Sequence, residues 1–282
     1  MRPLEIRLLF ESDIPSAMRL KEAAGWNQTE ADWQRLLSLE PEGCFAALKQ
    51  GRLVGTTTTT TYSGDLAWIG MVLVEPESRR QGIASQLMKT ALGYLNGKVE
   101  YVKLDATPDG KLVYEKLGFR VESSIERWSG PARPKSERSS VQESGVGLHL
   151  SLYELDLLAF GANRSELIRT LIEKSPAPPV INYGADGSVS GYALVRRGTK
   201  ADYIGPVVST DSGQIESLLD RALHRLNSAR AIIDWNKECT VSTAMLSDHG
   251  FVKERDLLRM TSGLVSKKTS PFVFAIAGPE IG

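Results

Sequence analysis

Apolar residues in the first 128 positions follow strand and helix periods in turn. The two-residue period predicts strands over residues 4–10, 43–49, 52–62, 66–74, 99–105 and 119–128. Helical periods lie between them, starting near Ser12, at Thr29 with Asp32 three residues on, and over residues 82–96 and 112–117. The order predicts an α/β fold in which helices flank a mixed, mostly antiparallel sheet.

The later part of the chain repeats much of this pattern. Residues 203–205 (Tyr-Ile-Gly) stand where residues 68–70 (Trp-Ile-Gly) stand. The other matched positions are Val207 and Val208 with Val72 and Leu73, Asp234 with Asp105, Gly250-Phe251 with Gly118-Phe119, and Arg259 with Arg127. A repeat of this length indicates domain duplication. Residues 129–149 are Ser-rich and charged as linkers are, so we predict domains over 1–128 and 150–282 with a linker over 129–149.

The composition of the chain argues against several classes of function. The chain has 34 Lys and Arg against 34 Asp and Glu, so no net field attracts nucleic acid or an anionic membrane. No apolar run approaches the ~20 residues of a membrane span, and the start of the chain lacks the pattern of a signal peptide. Cys44 and Cys239 sit in no metal or redox motif. We expect a cytoplasmic protein without metal, nucleic-acid or membrane partners; the oligomeric state stays open.

One segment carries a pattern with chemical meaning. A strand stops at Glu75-Pro76, two arginines follow, and Gly82 and Ala84 open an amphipathic helix. Small residues let a ligand approach the main chain, and the first N–H groups of a helix lack partners within it. With Arg79 and Arg80 beside it, this turn suits a pyrophosphate. It fits neither a P-loop nor the dinucleotide fingerprint, and an ordinary basic helix start is the alternative.

The pattern Arg-x-x-Gly-x-Ala after a strand and a Pro resembles motif A of the GNAT superfamily of N-acetyltransferases. A second resemblance is Tyr114, four residues before Gly118-Phe119. The likeness covers residues 4–128. The whole chain resembles the two-domain YitH-like subgroup, on the stretches 23–28, 160–164, 203–208 and 277–280. It implies tandem GNAT-like domains. In the second, the loop over 209–213 has Asp211 and no arginine, and Leu246 replaces the tyrosine, so we expect a degenerate copy without cofactor.

The resemblance implies that acetyl-CoA acetylates a primary amine directly, without an acyl-enzyme. The amine belongs to a small molecule or to a peptide end, and the neutral overall charge fits the small molecule that we expect. The pantetheine arm would pair with residues 72–74, a strand N–H would stabilise the oxyanion, and Tyr114 would protonate the departing thiolate. The implied cofactor-binding residues are Val72, Leu73, Val74, Arg79, Arg80, Gln81, Gly82, Ile83, Ala84, Ser85 and Thr107, the last standing where the family often has Asn. The alternatives are a non-catalytic acyl-CoA sensor and a structural protein that binds no CoA.

The sequence defines the acceptor side less closely than the cofactor side. Asp105 is one candidate for the base, although its counterpart Asp234 favours a structural role, and Glu40 and Glu42 are weaker candidates. Trp26 and Trp33 are candidate walls of the acceptor site, with the second half as the opposite wall or as pure scaffold. The three histidines, His149, His224 and His249, are expected at the surface or in packing.

Overall fold

The computed structural model describes residues 4–63, 65–132, 146–263 and 270–282. The chain forms two compact units. The first comprises Met1–Val121, Arg259–Ser266 and Glu280–Gly282, and the second comprises Glu122–Leu258 and Lys267–Pro279. These units do not follow the two halves of the sequence, because each takes in a segment from the other half.

The first unit is an open sheet in which helices intervene between strands. Its elements are β1 (Glu5–Leu8), α1 (Ile14–Ala23), α2 (Glu30–Leu39), β2 (Phe45–Lys49), β3 (Arg52–Tyr62), β4 (Leu66–Val74), α3 (Ile83–Leu95), β5 (Tyr101–Ala106) and α4 (Pro108–Glu115). The strands lie in the order β1-β2-β3-β4-β5. All pair antiparallel except β4 and β5, which are parallel. This confirms the predicted mixed, mostly antiparallel sheet.

The second unit repeats the arrangement. Its elements are β6 (Arg120–Pro131), α5 (Val146–Phe160), α6 (Ser165–Glu173), β7 (Val180–Tyr183), β8 (Val189–Arg196), β9 (Asp202–Ser209), α7 (Ile215–Leu223), β10 (Arg230–Asn236), α8 (Ala244–Asp248), β11 (Val252–Gly263) and β12 (Val273–Ala275). The strands from β7 run β7-β8-β9-β12-β10-β6. The predicted linker 129–149 overlaps the ends of β6 and α5, and residues 133–145 lie outside the described part of the chain.

The exchanged strands are β6, where the first half ends, and the end of β11 in the second half. Most of β6 belongs to the second unit, and β11 returns its last residues, from Arg259 onward, to the first unit. Each carries an arginine onto a buried aspartate. Arg259 Nε and Nη2 each donate at 2.9 Å to the carboxylate of Asp105, while Arg127 Nε and Nη2 donate to Asp234 at 2.7 and 2.6 Å. The matched Asp and Arg positions of the sequence are therefore two equivalent ion pairs, each joining residues from both halves.

The threonine run of β3 is a buried strand, as its β-branching predicts. Thr56 to Thr60 are each at most 2% exposed. The predicted start of α2 is also confirmed, since Thr29 N–H and Oγ1–H both donate to Asp32, at 2.7 and 2.9 Å. Within the described ranges, the helices are too short or too polar to cross a bilayer.

Candidate active site

Strands β4 and β5 separate part way along their length. They pair in parallel at Leu66–Tyr101, Ala67–Val102 and Trp68–Lys103. Beyond that point β4 runs on to Val74 and β5 to Ala106, and among the described residues no strand lies between them. Main-chain groups at the edge of a strand that has lost its neighbour are available to an added strand or an extended ligand. Residues 72–74, the predicted pantetheine strand, lie on this separated part.

A β-bulge interrupts β4 where the separation begins. Thr58 pairs with Gly70 and Thr56 with Leu73, so the single residue Thr57 faces both Met71 and Val72. Met71 has φ +49°, and Thr56 Oγ1 donates to Met71 O at 2.8 Å. A bulge leaves its extra residue unpaired and turns the strand locally. It therefore directs a main-chain group of this stretch away from β3.

The turn after β4 presents cations and unpaired main-chain donors. Arg79, Arg80 and Gly82 are exposed, and Gly82 is the N-cap of α3 with φ +80°. Arg80 has φ +60°, which is uncommon outside glycine, and left-handed residues in a turn are typical of main-chain nests that bind anions. The first turn of α3 has no acidic residue and no side-chain cap. The free N–H groups and the positive end of the helix dipole favour a phosphate here.

Lys49 joins this turn from the end of β2 and was not predicted. Its Nζ donates to Gln81 Oε1 at 2.9 Å, and the Gln81 amide donates to Glu77 O at 3.2 Å. Glu75, the acid that opens the turn, is held by Arg52 in a bidentate ion pair. The turn therefore keeps a cationic character. The signal available in the sequence was only a lysine at a strand end, which by itself indicates nothing.

Tyr114 lies buried on α4, packed against Phe119 at 6.2 Å between ring centroids. Burial raises the pKa of its phenol, so the hydroxyl keeps its proton at neutral pH. Gly110 makes room for the ring, because a β-carbon at this position would lie 2.8 Å from Tyr114 Cε2 and 3.4 Å from its hydroxyl oxygen. The absent side chain at Gly110 thus fixes where the tyrosine hydroxyl lies.

Thr107 caps α4. Its Oγ1 accepts from Gly110 N at 3.3 Å. A hydroxyl can accept and donate at once, so this cap leaves the Thr107 O–H able to donate. The capping role supplies a structural reason for the residue that the sequence pattern did not indicate.

The second unit has the same strand separation, with a strand inside it. Parallel pairing of β9 and β10 ends at Ile204–Ile233. Beyond that, β12 pairs antiparallel with β9 through Val207 and Val208 and with β10 through Trp235. Val207 and Val208 are the counterparts of Val72 and Leu73. The chain's own segment therefore occupies in the second unit the place that the separation of β4 and β5 leaves in the first.

The turn before α7 differs from the turn before α3, as its sequence indicates. Asp211 Oδ1 accepts from Gly213 N at 2.9 Å, so a carboxylate already uses a main-chain donor at this turn. The first turn of α7 also carries Glu216. Leu246 takes the place of Tyr114: Phe251 N donates to Leu246 O at 2.9 Å, as Phe119 N donates to Tyr114 O at 3.1 Å. The second unit keeps the frame and lacks the cationic turn and the phenol.

The structure argues against most of the predicted acceptor-side residues. Both oxygens of Asp105 are held by Arg259, and its side chain is fully buried, which suits a structural ion pair and not a base. Glu40 accepts from Tyr94 OH and from Thr61 N, and Glu42 is exposed in a short 3-10 turn. Trp33 is a core residue with no exposed surface, whereas Trp26 is half-buried.

The remaining candidate groups have packing roles. His224 Nδ1 lies 2.8 Å from Asp220 O and His249 Nδ1 lies 2.9 Å from Met245 O, while the side chain of His149 falls outside the described part. Burial raises the pKa of Cys44 to about 12. The described residues include no group of three or more His, Cys, Asp and Glu that could hold a metal ion.

Sequence reasoning missed Glu280, which the structure brings to β4. A β-carbon on Gly70 would lie 2.5 Å from Glu280 O, and Gln28 Nε2 donates to Glu280 Oε2 at 2.8 Å. In the second unit a β-carbon on Gly205 would lie 2.1 Å from Ile276 O. The shared Ile-Gly pattern therefore marks two places where the segment 273–282 crosses a strand at close range. That pattern was the available signal, but it does not say which segment approaches.

Comparisons with known proteins agree with this geometry. The acetyltransferase (GNAT) family model matches residues 9–119 and an acetyltransferase (GNAT) domain model matches 152–272. The chain is 26% identical over 223 residues to the uncharacterized N-acetyltransferase YitH of Bacillus subtilis, covering 77% of each chain. It is 22% identical to the holothin acyltransferase of a Pseudoalteromonas species, covering 92% of this chain and 88% of that one.

A solved structure shows the same fold over the full length. The putative acetyltransferase of Pyrococcus horikoshii superposes with a TM-score of 0.83 at 21% identity, covering 100% of this chain and 97% of that one. Two matches to the same superfamily, one in each half, together account for most of the chain. This protein belongs to the GNAT superfamily and is a tandem, two-domain acyltransferase.

Proposed function

We propose that the first unit transfers an acetyl group from acetyl-CoA directly to a primary amine of a small-molecule acceptor. The observation that carries this proposal is the separation of β4 from β5 beside a bulge. The cationic turn follows at one end of β4, and the buried Tyr114 follows β5 on α4. The second unit offers one supporting comparison, because β12 pairs there with the residues equivalent to the proposed pantetheine strand. We therefore expect one CoA site per chain.

The separated part of β4 would hold the pantetheine arm by main-chain hydrogen bonds, in the manner of an added strand. The bulge at Met71 and Val72 lies at the start of this stretch. A main-chain N–H turned away from β3 is suited to the thioester carbonyl oxygen, on which negative charge develops. Tyr114, protonated at neutral pH, would give its proton to the departing thiolate.

A carboxylate introduced into the turn tests the cofactor site. We expect Arg80→Glu or Gly82→Glu to weaken acetyl-CoA binding by at least ~100-fold, because each places a carboxylate where the pyrophosphate would lie. Isothermal titration measures the Kd. Gln214→Glu is the matched control, because Gln214 is the N-cap of α7 in the second unit, and it should leave the Kd unchanged. Equal binding by all three variants contradicts a CoA site at this turn.

The space at Gly110 gives a second test. Gly110→Ala should improve the helix by about 1 kcal/mol, yet push the Tyr114 ring from its place and lower kcat roughly tenfold. Gly93→Ala is the control, since no atom lies within 4 Å of a β-carbon there and Gly93 is also helical. Assays of thiol release should separate the two variants, and equal kcat values would show that Tyr114 position does not limit turnover.

The identity of the acyl group and the acceptor is open to direct assay. One relative is named an acyltransferase for holothin, so longer acyl-CoA thioesters belong in the assay beside acetyl-CoA. A panel of primary amines, with free CoA thiol as the common readout, tests the transferase proposal. Saturable acetyl-CoA binding without turnover of any amine would favour the sensor alternative.

A further inference from the structure

The sheet of the first unit has one face toward α3 and one face away from it. A β-carbon on Gly55 would meet Ile83 and Leu87 of α3, so the odd-numbered residues of β3 face that helix. Thr58, Thr60 and Tyr62 alternate with them and point to the other side. Thr58 pairs with Gly70 and Thr60 with Trp68, and we call this side the Gly70 face.

Residues 280–282 pack on the Gly70 face and belong to the first unit. Glu280 Cα would lie 2.7 Å from a β-carbon on Gly70, and Tyr62 OH donates to Ile281 O at 2.9 Å. Gln28, in the connection between α1 and α2, donates to the Glu280 carboxylate at 2.8 Å. Gly70 immediately precedes the bulge at Met71 and Val72, so the main chain of Glu280 lies beside the proposed thioester position. The residue is 3% exposed, and its carboxylate extends to Gln28.

Two buried hydroxyls on the same face lack partners. Thr58 and Thr60 are 1% and 2% exposed, and their Oγ1 atoms find no hydrogen-bond partner among the described residues. Directly paired residues of adjacent strands have β-carbons roughly 5 Å apart, which brings Thr58 close to the Gly70–Glu280 contact. Most buried polar groups are satisfied by protein or water. A polar ligand with N–H groups would use such hydroxyls on the face where Glu280 packs.

We propose that Glu280 takes the proton from the acceptor's ammonium group and that Thr58 and Thr60 bind the acceptor beside it. This inference rests on the proposed transferase function. Charged or titratable groups on the surrounding elements are Lys21 of α1, the Asp32–Arg35 pair of α2, the Asp105–Arg259 pair and Tyr62. The two ion pairs each neutralise their own carboxylate.

The proton transfers balance. The Glu280 carboxylate accepts one proton from the ammonium group, and the neutral amine forms the C–N bond to the thioester carbonyl carbon. Collapse breaks the C–S bond, and the thiolate takes the Tyr114 proton. The surplus proton on the new amide nitrogen restores the Tyr114 phenol, and Glu280 releases its proton to solvent. No atom changes oxidation state.

Glu280→Gln tests the assignment, because it keeps the size and the contact with Gln28 while removing the proton acceptor. With acetyl-CoA and the best substrate among n-butylamine, benzylamine and 1,4-diaminobutane, we expect kcat/KM to fall about 100-fold at neutral pH. In the wild type, Glu280 accepts the proton from the ammonium form, so kcat/KM should depend only weakly on pH near neutrality. In the variant, log kcat/KM should keep rising with unit slope toward the pKa of the amine. An unchanged rate and pH profile would overturn the proposal.

A second pair of variants keeps the test valid if Glu280→Gln fails to fold. Thr58→Val is close to isosteric, and removing an unsatisfied buried hydroxyl should not destabilise the protein. We expect a several-fold higher KM for the amine and an unchanged Kd for acetyl-CoA. Thr59→Val, on the α3 face, should change neither constant. Equal KM values for the two variants contradict the acceptor site. Wild-type protein that binds acetyl-CoA but acetylates no amine contradicts the transferase function itself.

Discussion

Tyr114→Phe should lower kcat by about 100- to 1,000-fold while leaving the Kd for acetyl-CoA unchanged. A positioned proton donor contributes about 10²–10⁴ in rate, and the ring without its hydroxyl still fills the space beside Gly110 and Phe119. Single-turnover release of CoA thiol measures the chemical step, and isothermal titration measures binding. A Tyr114→Phe enzyme with wild-type kcat would show that the thiolate takes its proton from elsewhere.

The pH dependence of kcat in the wild type tests the same role of Tyr114 as proton donor. Burial raises the pKa of the Tyr114 phenol above that of a free tyrosine. The proton donor is the protonated form, so its contribution persists as pH rises and is lost only above the raised pKa. We therefore expect no fall in kcat near the ordinary tyrosine pKa of about 10. A descending limb below that value in the wild type, absent from Tyr114→Phe, would contradict the burial argument.

Arg259→Met should lower the free energy of unfolding by about 3–5 kcal/mol. It leaves Asp105 as a buried carboxylate without its bidentate partner, and such uncompensated charges are strongly destabilising. Urea denaturation followed by tryptophan fluorescence reports the loss. The double variant Asp105→Leu with Arg259→Met should recover much of the stability, because apolar replacements of both partners remove the buried charge together.

Arg169→Met is the control for this prediction. Arg169 also pairs with two carboxylates, Glu166 and Glu173, but its side chain is 45% exposed. Exposed pairs contribute little because water and salt screen them. A destabilisation of similar size in Arg169→Met and Arg259→Met would mean that burial does not govern the effect of the pair.

The periodic segments and the motif could be predicted from the sequence because both are local. The strands, the main helices and the turn over residues 79–85 each depend on neighbours a few positions away. The bulge at Met71 could not be predicted, since positive φ is uncommon outside glycine and no local signal marks Met71 for it. The position of β12 between β9 and β10 could not be predicted either, because periodicity identifies a strand but not the strands that pair with it.

The residues of the acceptor side were harder to predict than those of the cofactor turn. Trp33 was predicted as a wall of the acceptor site, and packing places it in the core without exposed surface. Asp105 lies at the end of a strand, where catalytic acids are common, but Arg259 is 154 positions away and no local signal connects them. Glu280 lies in the stretch 277–280, which carries the subgroup resemblance but no predicted site role. Its relation to Gly70 follows only from the path of the segment after β12.

The exchange of β6 and β11 has a consequence for the history of such a chain. A duplicated gene usually tolerates decay or loss of its spare copy. Here each unit is completed by a strand encoded in the other half, so deletion of residues 150–282 would also remove Arg259 from the first unit. The second copy can lose its cationic turn and its phenol, but we expect the first unit to need it for folding. A break between residues 133 and 145 should yield two fragments that are recovered in soluble form only when expressed together.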